Sequence, residues 1–123
     1  MNFKLQTLNK VLVVGNLLID PETKNVSSST VTNFRIACNR KFKDSHGNFK
    51  DKVCYINIVA WAKLAEICSE KLKKGDGVFV EGELQNRKLS NGSLILEVLA
   101  DRVEFLTKKE KNNQEKNNLE TDG

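Results

Sequence analysis

Aromatic and cationic side chains alternate in two short segments near the middle of the chain. Arg40-Lys41-Phe42-Lys43 and Phe49-Lys50-Asp51-Lys52 each set a phenylalanine beside lysines. Aromatic rings stack on nucleobases and cations neutralise phosphates, so this combination is typical of proteins that hold single-stranded nucleic acid. We predict that Phe42 stacks on a base rather than packing on a neighbouring strand or subunit. For Phe49 both roles remain open.

Two further aromatic side chains could extend this site. Tyr55 shares a predicted strand face with Val53, Asn57 and Val59, so it could lie in the core or in a binding groove. Trp61 opens the apolar stripe of a predicted helix, and both a core role and a ligand contact remain open for it. The candidate phosphate contacts are Arg35, Arg40, Lys41, Lys43, Lys50, Lys63, Arg87 and Lys88.

The residue types needed for catalysis are scarce. His46 is the one histidine of the chain, and it lies in Asp44-Ser-His-Gly-Asn48, a segment dense in turn formers. Glu81 and Glu83 are two apart on a predicted strand, where a solvated outer face explains both. The sequence has no phosphate-binding glycine loop and no histidine or cysteine cluster at metal-ligand spacing. We therefore expect a binding protein without enzymatic activity, cofactor or metal.

The positive charge of the chain lies in the same part as the aromatic residues. The 123 residues carry a formal net charge of +4. Residues 108–123 contain four lysines and four acidic residues, so the whole excess belongs to the part before them. Such an excess is compatible with a polyanionic partner.

Cysteine usage and hydropathy indicate an intracellular protein. Cys38, Cys54 and Cys68 are odd in number and widely spaced, which favours isolated buried thiols over a disulfide or a metal site. No apolar run approaches the roughly 18 to 20 residues of a membrane span, and the N-terminus lacks the apolar core of a signal peptide. We expect a cytoplasmic location, in association with the nucleoid, and no membrane partner.

Five extended segments and one helix would position these side chains. The segments are 8–19, 31–42, 52–59, 78–85 and 94–106, and the helix is 61–74. Gly15 interrupts the first segment, which indicates a bulge or a close approach of two backbones, and Pro21 ends it. The order β-β-β-α-β-β, with the helix between strands three and four, is that of the OB-fold, an all-β, five-stranded, partly open barrel.

The chain is predicted to divide into one folded domain and a tail. Residues 1–107 hold every predicted strand and the helix, and they suit a single core. Residues 108–123 contain one large apolar side chain, Leu119, and no aromatic residue. Such a segment cannot bury enough surface to offset its ordering entropy, so we predict a disordered tail.

Several short motifs, in the same order and spacing, match one known family. They are Asn9-Lys10-Val11, Val14-Gly15-Asn16-Leu17, Asp20-Pro21-Glu22, Lys63-Leu64-Ala65-Glu66, Lys74-Gly75, Val78-Phe79-Val80-Glu81-Gly82 and Arg87-Lys88. On these motifs the chain resembles the bacterial single-stranded DNA-binding protein (SSB) family from residue 8 to residue 106. The resemblance implies an OB-fold that coats and protects single-stranded DNA during replication, repair and recombination, commonly as a homotetramer, with a dimer as the other possibility. It also implies DNA contacts at Phe42, Tyr55 and Trp61.

Four features depart from the family pattern. Leu89 falls where relatives often carry a tryptophan, so one stacking platform is expected to be weaker or lost. Ile56 falls where some relatives carry a histidine linked to subunit assembly, and Leu18 replaces a frequent glycine. The sequence ends at Leu119-Glu-Thr-Asp-Gly123, without the acidic Asp-Ile-Pro-Phe-like tip that recruits replication and repair proteins in relatives. We do not expect recruitment through that tip, whose absence a shortened chain and a divergent lineage explain equally well.

These departures leave a second function open. An SSB-like OB module of the primosome type would act mainly through protein partners. It would need neither a tryptophan at the position of Leu89 nor the acidic tip. Comparable, weak affinity for single-stranded DNA, double-stranded DNA and RNA would favour that alternative.

Overall fold

Six strands and one helix make up the fold. The computed structural model describes residues 7–106, and the predicted disordered tail, residues 108–123, lies outside that range. The elements are β1 (Val11–Leu17), β2 (Glu22–Val26), β3 (Ser29–Lys43), β4 (Phe49–Trp61), α1 (Ala62–Lys71), β5 (Gly77–Lys88) and β6 (Leu94–Leu106). The helix lies between the third and fourth of the predicted strands, which are β4 and β5 of the structure.

The strand that the sequence does not predict is β2. Its five side chains are all exposed, so it lacks the alternation of apolar and polar residues that marks a half-buried strand. Ser27 and Ser28 connect it to β3 with φ angles of 50° and 67°. Positive φ at both residues of a two-residue hairpin turn is type I′ geometry, for which Asn-Gly rather than Ser-Ser is the usual sequence signal.

The first strand closes the sheet into a barrel. The strand order is β1-β5-β6-β4-β3-β2, and β1 also pairs with β3. The pairing of β1 with β5 runs from Val11 to Asn16, and the end of β1, at Asn16 and Leu17, then pairs with β3. β4 and β6 pair in parallel. This arrangement is the OB-fold predicted from the order of the elements.

The barrel interior is built from one face of each long strand. Phe34 and Ile36 of β3 are buried while Arg35 between them is exposed, as the period of two predicts. The centre of the core consists of large and β-branched side chains, among them Phe34, Ile36, Ile58, Val78, Val80 and Val98. Phe34 is therefore a core residue and not a surface aromatic residue.

The helix α1 packs against the barrel through its apolar stripe. Ala65, Cys68 and Leu72 are buried at this contact. The buried hydroxyl of Thr32 on β3 donates a hydrogen bond of 2.8 Å to the backbone oxygen of Ala65, which ties the helix to the sheet. No helix among residues 7–106 is long and apolar enough to cross a membrane.

Trp61 does not belong to the helix stripe, in contrast to the prediction. It is the last residue of β4 and the N-cap of α1, with an extended backbone at φ −121° and ψ 155°. The helix also ends earlier than predicted, at Lys71, because Leu72 already has an extended backbone. The strand conformation at Trp61 turns its side chain away from the stripe.

Two glycines lie where backbones approach closely. A Cβ atom at Gly15 would lie 2.6 Å from the backbone oxygen of Ala37, so the predicted close approach is confirmed. A Cβ atom at Gly82 would overlap the backbone oxygen of Leu99. The ladder of β5 and β6 also shifts register at Gly82, so the bulge lies there and not at Gly15.

The three cysteines have different surroundings. Cys68 is buried, as predicted, but Cys38 is half-buried and Cys54 is exposed. The prediction of isolated buried thiols is also wrong in a second respect, because Cys38 and Cys54 are direct partners in the ladder of β3 and β4. Spacing along the chain does not reveal such a pairing, which depends on strand register.

Candidate nucleic-acid interface

β3 and β4 form a long two-stranded ribbon that carries most of the predicted contacts. Their ladder runs without a register shift from the pair Val31–Trp61 to the pair Lys43–Phe49. Successive residues of a strand point to opposite faces, so the odd-numbered residues of both strands share one face, here called the outer face. Of the predicted contacts, the outer face holds Arg35, Lys41, Lys43, Phe49, Tyr55 and Trp61. The opposite face, continuous with the core, holds Arg40, Phe42 and Lys50.

Tyr55 and Arg35 form the centre of the outer face. The guanidinium carbon of Arg35 lies 5.3 Å from the centre of the Tyr55 ring, a cation–π contact. Tyr55 pairs across the strands with Ala37, whose side chain is too small to cover the ring, and Tyr55 is 54% exposed. Of the two positions left open by the sequence, the structure shows the surface position for Tyr55.

Trp61 lies at the other end of the outer face, beside a cavity. Its side chain is 41% exposed. The cavity has a volume of about 220 Å³ and is lined by Trp61 together with Val31 and Val59 of the ribbon and Gln85 and Arg87 of β5. An indole beside such a cavity can contact a ligand from the side, and it does not serve as a core residue.

A second cavity continues the first toward β2. It has a volume of about 310 Å³, and its lining includes Lys24 of β2, Arg35 and Asn57 of the ribbon, and Arg87 of β5. Because Lys24 and Arg87 line both cavities, the two form one depression, here called the β2–β5 groove. The sequence gives no signal for Lys24 as a groove cation, since β2 carries no recognisable strand pattern.

Glu97 of β6 lies at the floor of the β2–β5 groove. Its side chain is 1% exposed, and Gln85 Nε2 donates a hydrogen bond of 2.8 Å to its Oε2 atom. Arg87 Nε donates a second bond of 3.1 Å to Oε1. A buried carboxylate requires such partners, and the same bonds hold Gln85 and Arg87 in the groove wall. The available sequence signal was one acidic residue within the apolar run 94–99.

Phe42 is separated from the other two aromatic residues of the predicted site. It lies on the opposite face of the ribbon from Tyr55 and Trp61, pairs with Lys50, and is half-buried. The structure therefore brings Tyr55 and Trp61 to one face and leaves Phe42 on the other. A nucleic-acid strand that contacts all three residues must bend around the edge of the ribbon.

The far end of the ribbon presents Phe49. Its side chain is 76% exposed, and Lys43 Nζ lies 5.3 Å from the ring centre. The Asp44 carboxylate accepts two backbone hydrogen bonds of 2.9 Å within the turn and lies 3.9 Å from Lys50 Nζ. The segment dense in turn formers is thus the tip of the β3–β4 hairpin, and His46 within it is exposed.

The remaining predicted cations are exposed and spread over several elements. Arg40 and Lys41 lie on the ribbon, Lys63 lies in the first turn of α1, and Lys88 is the last residue of β5. Within residues 7–106, no three His, Cys, Asp or Glu side chains are grouped so that they could hold a metal ion. The chemistry that this surface offers is stacking, cation–π contact and phosphate neutralisation.

Comparison with known proteins gives a consistent family. Residues 8–106 match the model of the single-strand binding protein family. Single-stranded DNA-binding protein 2 of Chlorobaculum tepidum is 43% identical over 114 residues, which cover 88% of this chain and 77% of that protein.

Two solved structures share the fold. A complex of Plasmodium falciparum SSB with ssDNA has a TM-score of 0.74 at 27% identity, over 86% of this chain and 99% of that one. A deletion mutant of the single-stranded DNA binding protein from Thermus aquaticus has a TM-score of 0.75 at 24% identity over 82% of this chain. The match spans about half of that protein's chain, 51%. By its sequence and its fold, the chain belongs to the single-strand binding protein family.

Proposed function

We propose that this protein binds single-stranded DNA without sequence choice and coats it during replication, repair and recombination. The observation that carries the proposal is the outer face of the ribbon, where the Arg35 guanidinium lies 5.3 Å from the Tyr55 ring. A ring stacks on any base and a cation neutralises any phosphate, so neither group reads base identity. Membership of the family and the ssDNA complex of a relative support the same function.

In this proposal the protein binds and releases DNA without changing it chemically. The groove walls offer aromatic rings, amides and cations, which hold a DNA strand in place. Among residues 7–106, the one acidic side chain that is buried is Glu97. Gln85 and Arg87 donate hydrogen bonds to its two oxygen atoms, so the carboxylate is not free to act as a base. The proposed site of action is the cytoplasm, in association with the nucleoid.

We also propose that the protein assembles with copies of itself, as a homotetramer. β1 exposes Leu12 and Val14 on its outer side, and β6 exposes Leu94 and Leu96. Exposed apolar side chains two positions apart on one face of a strand are typical of subunit contacts. Sedimentation equilibrium should give four times the chain mass of 13.9 kDa. A monomer at micromolar concentration would contradict the proposed assembly.

Affinity for a labelled dT oligomer, measured by fluorescence anisotropy, tests the proposed DNA binding. Tyr55→Ala and Trp61→Ala should each weaken binding by about 1–3 kcal/mol, the usual contribution of one stacked base. Phe42→Ala should have an effect of the same size if the bound DNA strand bends around the edge of the ribbon. The matched control is Leu106→Ala, which removes an exposed apolar side chain outside the ribbon and the groove and should leave affinity unchanged.

The same titration separates the proposed function from its alternative. Binding of dT should quench the fluorescence of Trp61, the single tryptophan of the chain. Unchanged affinity in all three aromatic variants would show that the stacking assignment is wrong. Comparable weak affinity for single-stranded DNA, double-stranded DNA and RNA would instead favour an assembly module that acts through protein partners.

A further inference from the structure

Cys38 and Cys54 lie directly opposite each other in the β3–β4 ribbon. They occupy the face continuous with the core, one pair beyond Ile36 and Ile56 on that face. Directly paired residues on antiparallel strands have Cα atoms about 4.5–5.5 Å apart, which lies inside the range of about 4.4–6.8 Å that a disulfide spans. Because both side chains leave the same face, their sulfur atoms can meet without a change of register.

The two thiols differ in their access to solvent. Cys54 is exposed, whereas Cys38 is half-buried against the core. Burial, and next to it the charge of Cys54, raises the pKa of the Cys38 thiol. Cys54 is therefore the thiol that a dissolved oxidant meets first, and Cys38 is the protected neighbour that reacts second.

We propose that Cys38 and Cys54 are an oxidation site, at which a peroxide converts the two thiols into a reversible cross-strand disulfide. The Cys54 thiolate attacks a peroxide oxygen and the O–O bond breaks. Cys54 becomes a sulfenic acid, and the leaving hydroxide takes up one proton and departs as water. Cys38 sulfur then attacks the sulfenic sulfur, the S–O bond breaks, the S–S bond forms and a second water leaves.

The oxidation consumes one peroxide, and the disulfide that it forms can be reduced again by other thiols. The two thiols lose two electrons and two protons in total, which reduce one hydrogen peroxide to two waters. Two equivalents of a small-molecule thiol return the pair to the reduced form by thiol–disulfide exchange and become a disulfide themselves.

The position in the ribbon makes a labile disulfide rather than a structural one. Directly opposed residues have Cβ atoms about 4.5–5.5 Å apart, and a relaxed disulfide holds them about 3.8 Å apart. Strained and exposed disulfides are the ones that cellular thiols reduce most easily. A disulfide at this pair is therefore transient in a reducing compartment, where lasting disulfides are rare.

The disulfide would join β3 and β4 near the middle of the ribbon, between the barrel and the hairpin tip. Residues 39–53 lie beyond the pair and carry Phe42 and Phe49, while Tyr55 follows Cys54 on β4. Oxidation would thus restrain the strands beside Tyr55. The oxidation site itself is independent of DNA binding; only this effect on the aromatic residues rests on the proposed function.

Peptide mapping of the full chain tests the oxidation site. The protein is treated with a small excess of hydrogen peroxide, its free thiols are alkylated, and it is digested with trypsin. Cleavage after arginine and lysine gives peptides 36–40 and 53–63, each with one cysteine. We expect these two peptides to be joined by a disulfide, the intact mass to fall by two hydrogens, and dithiothreitol to restore both peptides.

Two variants serve as controls. Cys68→Ala keeps the pair and should give the same joined peptides, whereas Cys54→Ser, at an exposed position, should give none and leave Cys38 as a free thiol. Three free thiols after oxidation, a disulfide through Cys68, or dimers joined through Cys54 in place of the joined peptides would each overturn the proposal. Failure of both redox forms to bind dT would contradict the proposed function and leave the joined peptides as evidence for the oxidation site.

Discussion

Arg87 Nε donates a hydrogen bond of 3.1 Å to the carboxylate of Glu97, which lies at the floor of the β2–β5 groove. A guanidinium has five N–H donors, so this bond leaves the outer edge of Arg87 available to a ligand while fixing its orientation. The sequence predicts Arg87 as a phosphate contact in its own right. The structure adds that a buried carboxylate on the neighbouring strand holds it in the groove.

Replacement of Arg87 with alanine should therefore lower the free energy of unfolding as well as DNA affinity. The variant removes one partner of a buried carboxylate, a loss of about 2 kcal/mol. Lys88→Ala removes the next cation on β5, which is exposed, and should change stability by less than about 0.5 kcal/mol. Urea unfolding followed by Trp61 fluorescence measures the free energy of unfolding of both variants. Equal stability of the two variants would contradict the role assigned to the Glu97 bond.

Replacement of Gly82 with alanine should strongly destabilise the barrel. The new Cβ atom would overlap the backbone oxygen of Leu99, and a backbone cannot move aside as a side chain can, so we expect a loss of about 3 kcal/mol or more. Gly92→Ala provides the comparison, because Gly92 has open space around it and a φ of 91°. Its cost should be about 1 kcal/mol, from backbone strain alone. Thermal unfolding of both variants should show Gly82→Ala as clearly the less stable protein.

Replacement of Arg35 with alanine should change how affinity depends on salt. If Arg35 neutralises one phosphate, the slope of log K against log salt concentration should fall in magnitude by about 1. Lys71→Ala removes one cation at the end of α1, away from the outer face, and should leave the slope unchanged. Titrations of dT at several salt concentrations measure the slopes. The same slope for Arg35→Ala and the unmodified protein would exclude a phosphate contact at Arg35.

The ion pair of Lys10 and Glu81 should make stability depend on pH. Their hydrogen bond of 2.5 Å lowers the pKa of Glu81 below the usual 4.5 and raises the pKa of Lys10 above the usual 10.5. The carboxylate's contribution is present above its unfolded pKa and is lost as the pH falls through its folded pKa. The ammonium's contribution is lost as the pH rises through its own raised pKa.

Glu81→Gln isolates this contribution. The variant should be less stable than the unmodified protein at neutral pH, and the difference should vanish in acid, where Glu81 is protonated in both states. Glu83→Gln changes the next acidic residue of β5, at an exposed position, and should show no such pH dependence. A difference that persists unchanged in acid would mean that Glu81 acts through packing rather than charge.

Local patterns were enough to predict most of the fold. The alternation along β3 predicts that Phe34 is buried and Arg35 exposed, and both are. Turn formers predict the hairpin tip at Asp44, whose carboxylate accepts hydrogen bonds from the backbone N–H groups of His46 and Asn48. The strand β2 escapes prediction because it is an exposed hairpin strand whose side chains are all polar except Val26.

The arrangement of the site depends on facts that local patterns do not contain. Helical spacing assigns Trp61 to the stripe of α1, but its backbone belongs to β4, and only the extended conformation brings it to the groove. The separation of Phe42 from Tyr55 follows from the register of β3 on β4, as does the pairing of Cys38 with Cys54. Register is a relation between distant segments, so a single sequence read in windows leaves it undetermined.

The closure of the barrel by β1 and β5 also sets the order in which the protein can fold during synthesis. The side chain of Asn9, just before β1, exchanges two hydrogen bonds of 2.8 Å with the backbone of Leu84, 75 positions later. The ribbon of β3 and β4 joins neighbours in sequence and can form as soon as it leaves the ribosome, whereas β1 waits for β5. We expect closure to be the late and slow step of folding. A nascent chain stalled before Gly77 would leave the apolar side of β1 without its partner strand and exposed to chaperones or to aggregation.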